Sequence, residues 1–229
     1  MYNPAIDDER ALRTSADRVF EALQDAIVRG DIAPGSRVGE TELAVRFGTS
    51  RGPLREALRR LESRRLVERT PHVGIRIASL DHAALIELYY LREALEGMAA
   101  RLAALNMSNE EVTGLKQLLA AHEQDEALKA DTAYFQQEGD FDFHYRVIHG
   151  SHNTALIELL IGELYHRIRM YRYQFSAYAN RPQKAFGEHQ RIVEAIEARD
   201  GDLAEMLMRR HISSARQNIE KHLKETTPQ

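Results

Sequence analysis

The 229-residue chain has no cysteine, which excludes a disulfide framework, a thiolate nucleophile and any sulfur-based zinc site. It has no apolar run near the ~20 residues needed to cross a bilayer. Residues Met1 to Glu9 are polar and acidic, unlike a secretory leader. These absences predict a soluble cytoplasmic protein with no membrane partner. No repeat of fixed period appears, which disfavours a solenoid. Strand signals are scarce beyond residue 81.

What is present is charge, unevenly placed. The net charge is formally -4. Residues 1 to 78 hold fourteen Arg and no Lys against twelve acidic residues, for +2, so the remainder carries -6. Between Arg51 and Arg76, eight Arg face three Glu, for +5. A local basic patch beside an acidic partner domain is the electrostatic footprint of a DNA-binding module. The length suits one large domain or two modest ones, and 43% hydrophobic residues support a packed interior.

The patch centres on Thr49 to Leu66, which places two faces on one helix. Leu54, Leu58 and Leu61 share an apolar face, while Arg51, Arg55 and Arg59 recur every four residues on another. Thr49 or Ser50 can cap this helix, and Pro53 falls in its first turn. Upstream, Glu40 to Phe47 reads as a short helix closed by Gly48. Ala16, Val19, Leu23 and Ile27 mark an earlier helix ending at Gly30, with a turn at Pro34-Gly35. Downstream, Leu66 to Arg69 and Gly74 to Ile77 read as two strands around Thr70 to Val73. The order is that of a winged helix-turn-helix, and arginines near a recognition helix N-terminus meet DNA.

The remainder, from about Asp81, falls into six amphipathic segments: 81 to 105, 108 to 129, 131 to 150, 153 to 179, 182 to 199 and 202 to 224. The second opens at Ser108 with Glu111 in capping-box register. The fold class expected is mostly α: a winged helix-turn-helix over residues 10–78, then a six-helix antiparallel bundle over 79–229. Asp140 and His144 are four apart and would share a helical face, while His189 and His211 stand on the last two helices. Oxygen and imidazole ligands suit zinc, nickel, manganese or iron. Asp142, His149 and His152 compete for the same role.

Two stretches resemble known families. Residues 16 to 78 look like the DNA-binding domain of the GntR family of bacterial transcription regulators, through Glu40-Thr41-Glu42-Leu43-Ala44, Ser50-Arg51-Gly52-Pro53-Leu54-Arg55-Glu56-Ala57-Leu58-Arg59-Arg60-Leu61 and Val73-Gly74. The resemblance implies that Arg51 and Arg55 reach base edges or neighbouring phosphates, that Ser50 and Gly52 approach the backbone, and that Thr41 sits near a phosphate. Arg59 and Gly74 join this DNA-binding set. Two positions depart from the family: Arg65 replaces a usual Gly, which suggests a different helix-to-strand turn or an extra phosphate contact, and Val73 replaces a frequent Arg in the wing, where His72 or Arg76 could substitute.

The helical part resembles the FCD effector domain of FadR-type members, and its six helices look like the VanR branch. Asp140, His144, His189 and His211 occupy the places of that domain's metal ligands. Ser151-His152-Asn153 resembles its S-G-N signature, with His152 in place of Gly. The resemblance implies a divalent transition metal, zinc first and nickel, manganese or iron otherwise. It also implies a small organic acid held on the metal and an arginine completing the pocket. Arg92 fits that arginine, or an ion pair with Glu96. Arg167, Arg169, Arg172, Tyr165 and Tyr171 either line the cavity or form a core stripe.

The function expected is a homodimeric DNA-binding transcriptional regulator, not an enzyme, whose grip on operator DNA the acid modulates; a repressor comes first, with the choice between repressor and activator open. Two alternatives stay open: a metalloenzyme using the Asp/His3 centre, and a DNA-binding dimer that senses nothing.

Overall fold

The computed structural model describes residues 14–70, 74–79, 82–130, 134, 136, 139, 142–176 and 182–226, and its contacts divide the chain into two units, residues 1–80 and 81–229. No described helix is long and apolar enough to cross a membrane.

In the first unit, α1 (Ser15–Arg29) begins on a reciprocal capping box between Thr14 and Asp17 and ends at Gly30, whose φ of 81° suits a residue without Cβ. Helix α2 (Glu40–Arg46) leads through Gly48, at φ 57°, into α3 (Arg51–Ser63). Leu54, Ala57, Leu58 and Leu61 of α3 are buried, and α3 packs on α1, whose Phe20, Leu23 and Ile27 are buried too. The hairpin strands β2 (Val67–Thr70) and β3 (Gly74–Ile77) pair antiparallel, with Val67 opposite Ile77 and Thr70 opposite Gly74. A third strand, β1 (Arg37–Val38), pairs with β3 on its other edge, so the sheet order is β1-β3-β2. Two residues carry no periodicity, so β1 leaves no sequence signal.

The second unit is helical. The long helices α4 (His82–Asn106) and α11 (Gly201–Thr226) pack along each other, with α10 (Pro182–Glu197) against both. At Gly97 an added Cβ would lie 2.7 Å from Arg209 Cγ, so a glycine there lets α11 approach closely.

The expected second helix divides into α5 (Asn109–His122) and α6 (Glu126–Lys129) at a turn where Asp125 caps α6; the Ser108/Glu111 capping box is present. Of the expected third helix, 131 to 150, the described part is α7 (Phe143–Gly150), whose N-cap Asp142 has extended backbone and a carboxylate that accepts from the His144 and Tyr145 amides. The fourth runs as α8 (Thr154–Ile157), a π-helical segment (Glu158–Leu164) and α9 (Tyr165–Ser176). Leu160 in the π segment packs with Ala99 and Ile148 in a buried cluster.

Candidate functional site

The first unit carries a basic surface at the start of α3. Ser50 is the N-cap, with extended backbone, but its hydroxyl makes no capping bond. Neither expected cap forms, since the Thr49 hydroxyl is buried without a partner. Around it, Thr41, Arg51, Gly52, Arg55 and Arg59 are exposed. A Cβ at Gly52 would meet nothing within 4 Å, so this end of the helix stands open to a large ligand. Exposed Gly74 opens β3 at φ 101°. Pro71, His72 and Val73 lie outside the described residues.

Glu40 organises the arginines. One of its oxygens accepts from Arg55 Nε at 2.9 Å and the other lies 3.5 Å from Arg69 Nη2. Arg55 is thus held through Nε while its terminal nitrogens stay available for a fork-shaped contact with guanine. Sequence reasoning gave Glu40 no role, although an acid among phosphate-seeking arginines is itself a signal of positioning. Arg60 and Arg64 do not belong to this surface. Arg60 lies 4.0 Å over the Phe20 ring and pairs with Asp17 at 2.6 Å, and Arg64 lies 4.6 Å over the same ring and bonds Gln24.

In the second unit, His144 on α7, His189 on α10 and His211 on α11 converge, each with one ring nitrogen within 4.8 Å of the others. All three are buried. Each has its Nδ1 against an outer partner: Glu96 Oε2 at 2.6 Å for His144, Glu188 Oε2 at 2.7 Å for His211, and the Tyr134 hydroxyl at 3.1 Å for His189. That leaves the Nε2 atoms for an ion, and those of His189 and His211 are 3.1 Å apart. Nitrogens bound to one ion at 2.0–2.1 Å lie ~2.9–3.4 Å apart at right-angled to tetrahedral geometry. Phe143 stacks on His189 with centroids 4.0 Å apart.

Burial pushes the His189 imidazole well below the usual histidine range, and the neighbouring His211 and His144 push it the same way. Burial also lowers His144, against the pull of Glu96. Neutral imidazole is the form that ligates a metal. Burial would raise the Glu96 carboxyl, but Arg92 and then His144 outweigh it and hold it below the ordinary carboxylate range.

Asp140 lies outside the described residues, and His144 stands in the first turn of α7. The three competitors are engaged elsewhere. Asp142 caps α7 and accepts from Arg172 at 2.9 Å, His149 packs on Tyr145, and exposed His152 faces Glu111 at 2.9 Å.

A cavity of about 110 Å³ adjoins the histidines, with Tyr89, Arg92, Tyr134, Arg172 and Asn218 in its wall. Arg92 does both things expected of it: it lines the cavity, and its Nε donates to Glu96 Oε1 at 2.6 Å. Among the described α9 side chains, Arg172 alone reaches this wall; Tyr165, Ile168, Arg169 and Tyr171 are buried, and Tyr165 lies against Asp142. Sequence reasoning missed Glu188 and Tyr134. Glu188 adjoins His189 in sequence but serves His211, a pairing no local pattern encodes.

Comparison with known proteins agrees with both halves. Residues 15–77 match the family model for bacterial regulatory proteins of the gntR family, and residues 87–214 match the FCD domain. The chain is 32% identical over 212 residues to a probable D-xylose utilization operon transcriptional repressor of Paenarthrobacter nicotinovorans, covering 90% of this chain and 89% of that one. It is 28% identical to the HTH-type transcriptional repressor RspR of Escherichia coli K12, covering 88% and 87%. The fold is shared with E. coli McbR/YncC at a TM-score of 0.70 and 22% identity, over 94% of this chain and 100% of the other. These relatives are transcriptional regulators rather than enzymes, and GntR regulators bind operator DNA, typically as dimers. The chain belongs to the GntR family of bacterial transcriptional regulators, with an FCD domain following its DNA-binding domain.

Proposed function

We propose that this regulator is a cytoplasmic repressor acting on the nucleoid, whose operator affinity is set by a small organic acid held on a divalent metal, zinc first. The observation that carries this reading is the trio of buried imidazoles whose Nδ1 atoms are each anchored from outside. Such anchoring is what orients metal-ligating histidines. His144, His189 and His211 would hold the ion, with Asp140 as the fourth ligand. The ion would supply a positive anchor for a carboxylate, and Arg92 would grip the acid from the cavity wall. Arg51 and Arg55 would read bases, with Ser50, Gly52, Thr41, Arg59 and Gly74 against the backbone.

The chain would act as a homodimer, which places two recognition helices about 34 Å apart in successive major grooves. Leu91, Met98 and Leu105, seven residues apart on α4, are exposed and support a self-pairing face. An acid that binds one arrangement of the dimer better than another shifts the population and so the affinity for DNA. The repressor sign follows the relatives named as repressors.

Elemental analysis of protein purified without a metal-binding tag tests the centre: about one ion per chain is expected in the wild type and a large loss in the His144→Ala/His189→Ala variant. Equal metal in both would sink the reading. Gel shifts with a panel of carboxylates then show whether an acid changes operator affinity.

A further inference from the structure

Glu96 touches both halves of this site. It is 1% exposed and sits one helical turn after Arg92 on α4. Its Oε1 accepts from Arg92 Nε at 2.6 Å, and its Oε2 lies 2.6 Å from His144 Nδ1. Arg92, itself 1% exposed, also points Nη2 at Oε2 from 3.5 Å. A carboxylate paired with a guanidinium accepts hydrogen bonds and donates none. The hydrogen between Oε2 and Nδ1 therefore comes from the imidazole. A neutral imidazole carries one N–H, so His144 bears its lone pair on Nε2, the nitrogen left for an ion.

We infer that Glu96 is a positioning residue that fixes the His144 tautomer for metal binding while holding Arg92 at the cavity wall, so that one buried carboxylate sets up both the metal ligand and the acid-gripping arginine. The inference rests on the metal reading above. It assigns to Glu96 more than the helix-surface ion pair that Arg92-x-x-x-Glu96 spacing suggests, because the second oxygen reaches 48 residues along the chain to another helix.

Two measurements on the full-length, metal-stripped protein test it. Zinc affinity by competition with a chromogenic chelator is expected to fall about 10- to 100-fold in Glu96→Gln, the range seen when an outer partner of a metal-ligating histidine is removed. Histidine nitrogen NMR of the metal-free wild type is expected to show His144 protonated on Nδ1, and Glu96→Gln to lose that preference. A role in packing alone would leave the tautomer where it is. His144 protonated on Nε2 in the wild type, or unchanged zinc affinity in Glu96→Gln, overturns the inference while the metal site stands. A wild type that takes up no zinc overturns both. The wild-type NMR needs no variant, so poor folding of Glu96→Gln does not shield the inference.

Discussion

Among the described residues, three that are not glycine, Arg65, His152 and Arg199, hold left-handed backbone at φ 54°, 52° and 60°. An L-residue there costs roughly 1–2 kcal/mol. Arg65 and His152 stand where the sequence resemblance leads to an expectation of glycine, and both hold the left-handed backbone that glycine suits. At Arg65 the closing bonds are intact: its amide donates to the Glu62 carbonyl at 2.9 Å, and Leu66 donates to the Leu61 carbonyl at 3.0 Å.

Arg199 is offset by its side chain, which donates to the Met107 carbonyl at 2.5 Å and to Asn109 Oδ1 at 2.8 Å. Arg65 makes no side-chain hydrogen bond among the described residues. Arg65→Gly should therefore stabilise the protein by about 0.5–1 kcal/mol, whereas Arg199→Gly should destabilise it. Urea midpoints decide both, and a loss of stability in Arg65→Gly would contradict the strain argument. On the DNA surface, Arg51→Ala or Arg55→Ala should each weaken specific operator binding by about 1–3 kcal/mol and relax base preference at one position. Gel shifts unchanged by both would defeat the recognition-helix assignment.

At the scale of elements, α1 depends on Asp17 for its start and for its junction with α3. Hydrogen bonds from Thr14 and from Arg60 lower the Asp17 carboxyl from 3.8 to about 2. A depressed carboxyl contributes stability above its unfolded value and loses it on acidification. The contribution should be complete above about pH 4 and fade toward pH 2. Asp17→Asn should flatten that part of the stability curve, followed by denaturant melts across the range. In the other unit, Gly150→Ala places a Cβ within 2.6–2.8 Å of the Met107 side chain, and should cost about 1–3 kcal/mol unless that flexible thioether moves aside.

Elements written by period were legible in the sequence: the apolar face of α3, the hairpin alternation and the Ser108 cap all appear where their residues place them. Elements set by a single distant or capping contact were not. The start of α7 depends on Asp142, and β1 exists only because β3 offers it an edge. Arg60 and Arg64 look like DNA ligands in a charge census. They turn inward because Phe20 of another helix presents a ring to them.

For the molecule as a whole, the metal and the dimer give the sharpest expectations. Zinc at 100 times its dissociation constant should stabilise the protein by about 2.7 kcal/mol, read as a rise in Tm that a chelator reverses; no shift would argue against a closed site. Met98→Asp with Leu105→Asp should shift the protein to a monomer in sedimentation experiments and weaken binding to a full operator more than to a half-site.

The sequence by itself determined the class of the protein, because repeating patterns of apolar and charged residues act locally: each segment's period sets which face is buried. It also supplied His144, His189 and His211. Only the tertiary structure decided that these three meet, that Glu96, Glu188 and Tyr134 each take one Nδ1, and that Asp142 belongs to a helix cap and Arg172 instead. A site assembled from α4, α7, α10 and α11 depends on how the helices are rotated and spaced, and that is set by packing at places such as Gly97 and Gly150 rather than by anything within one helix.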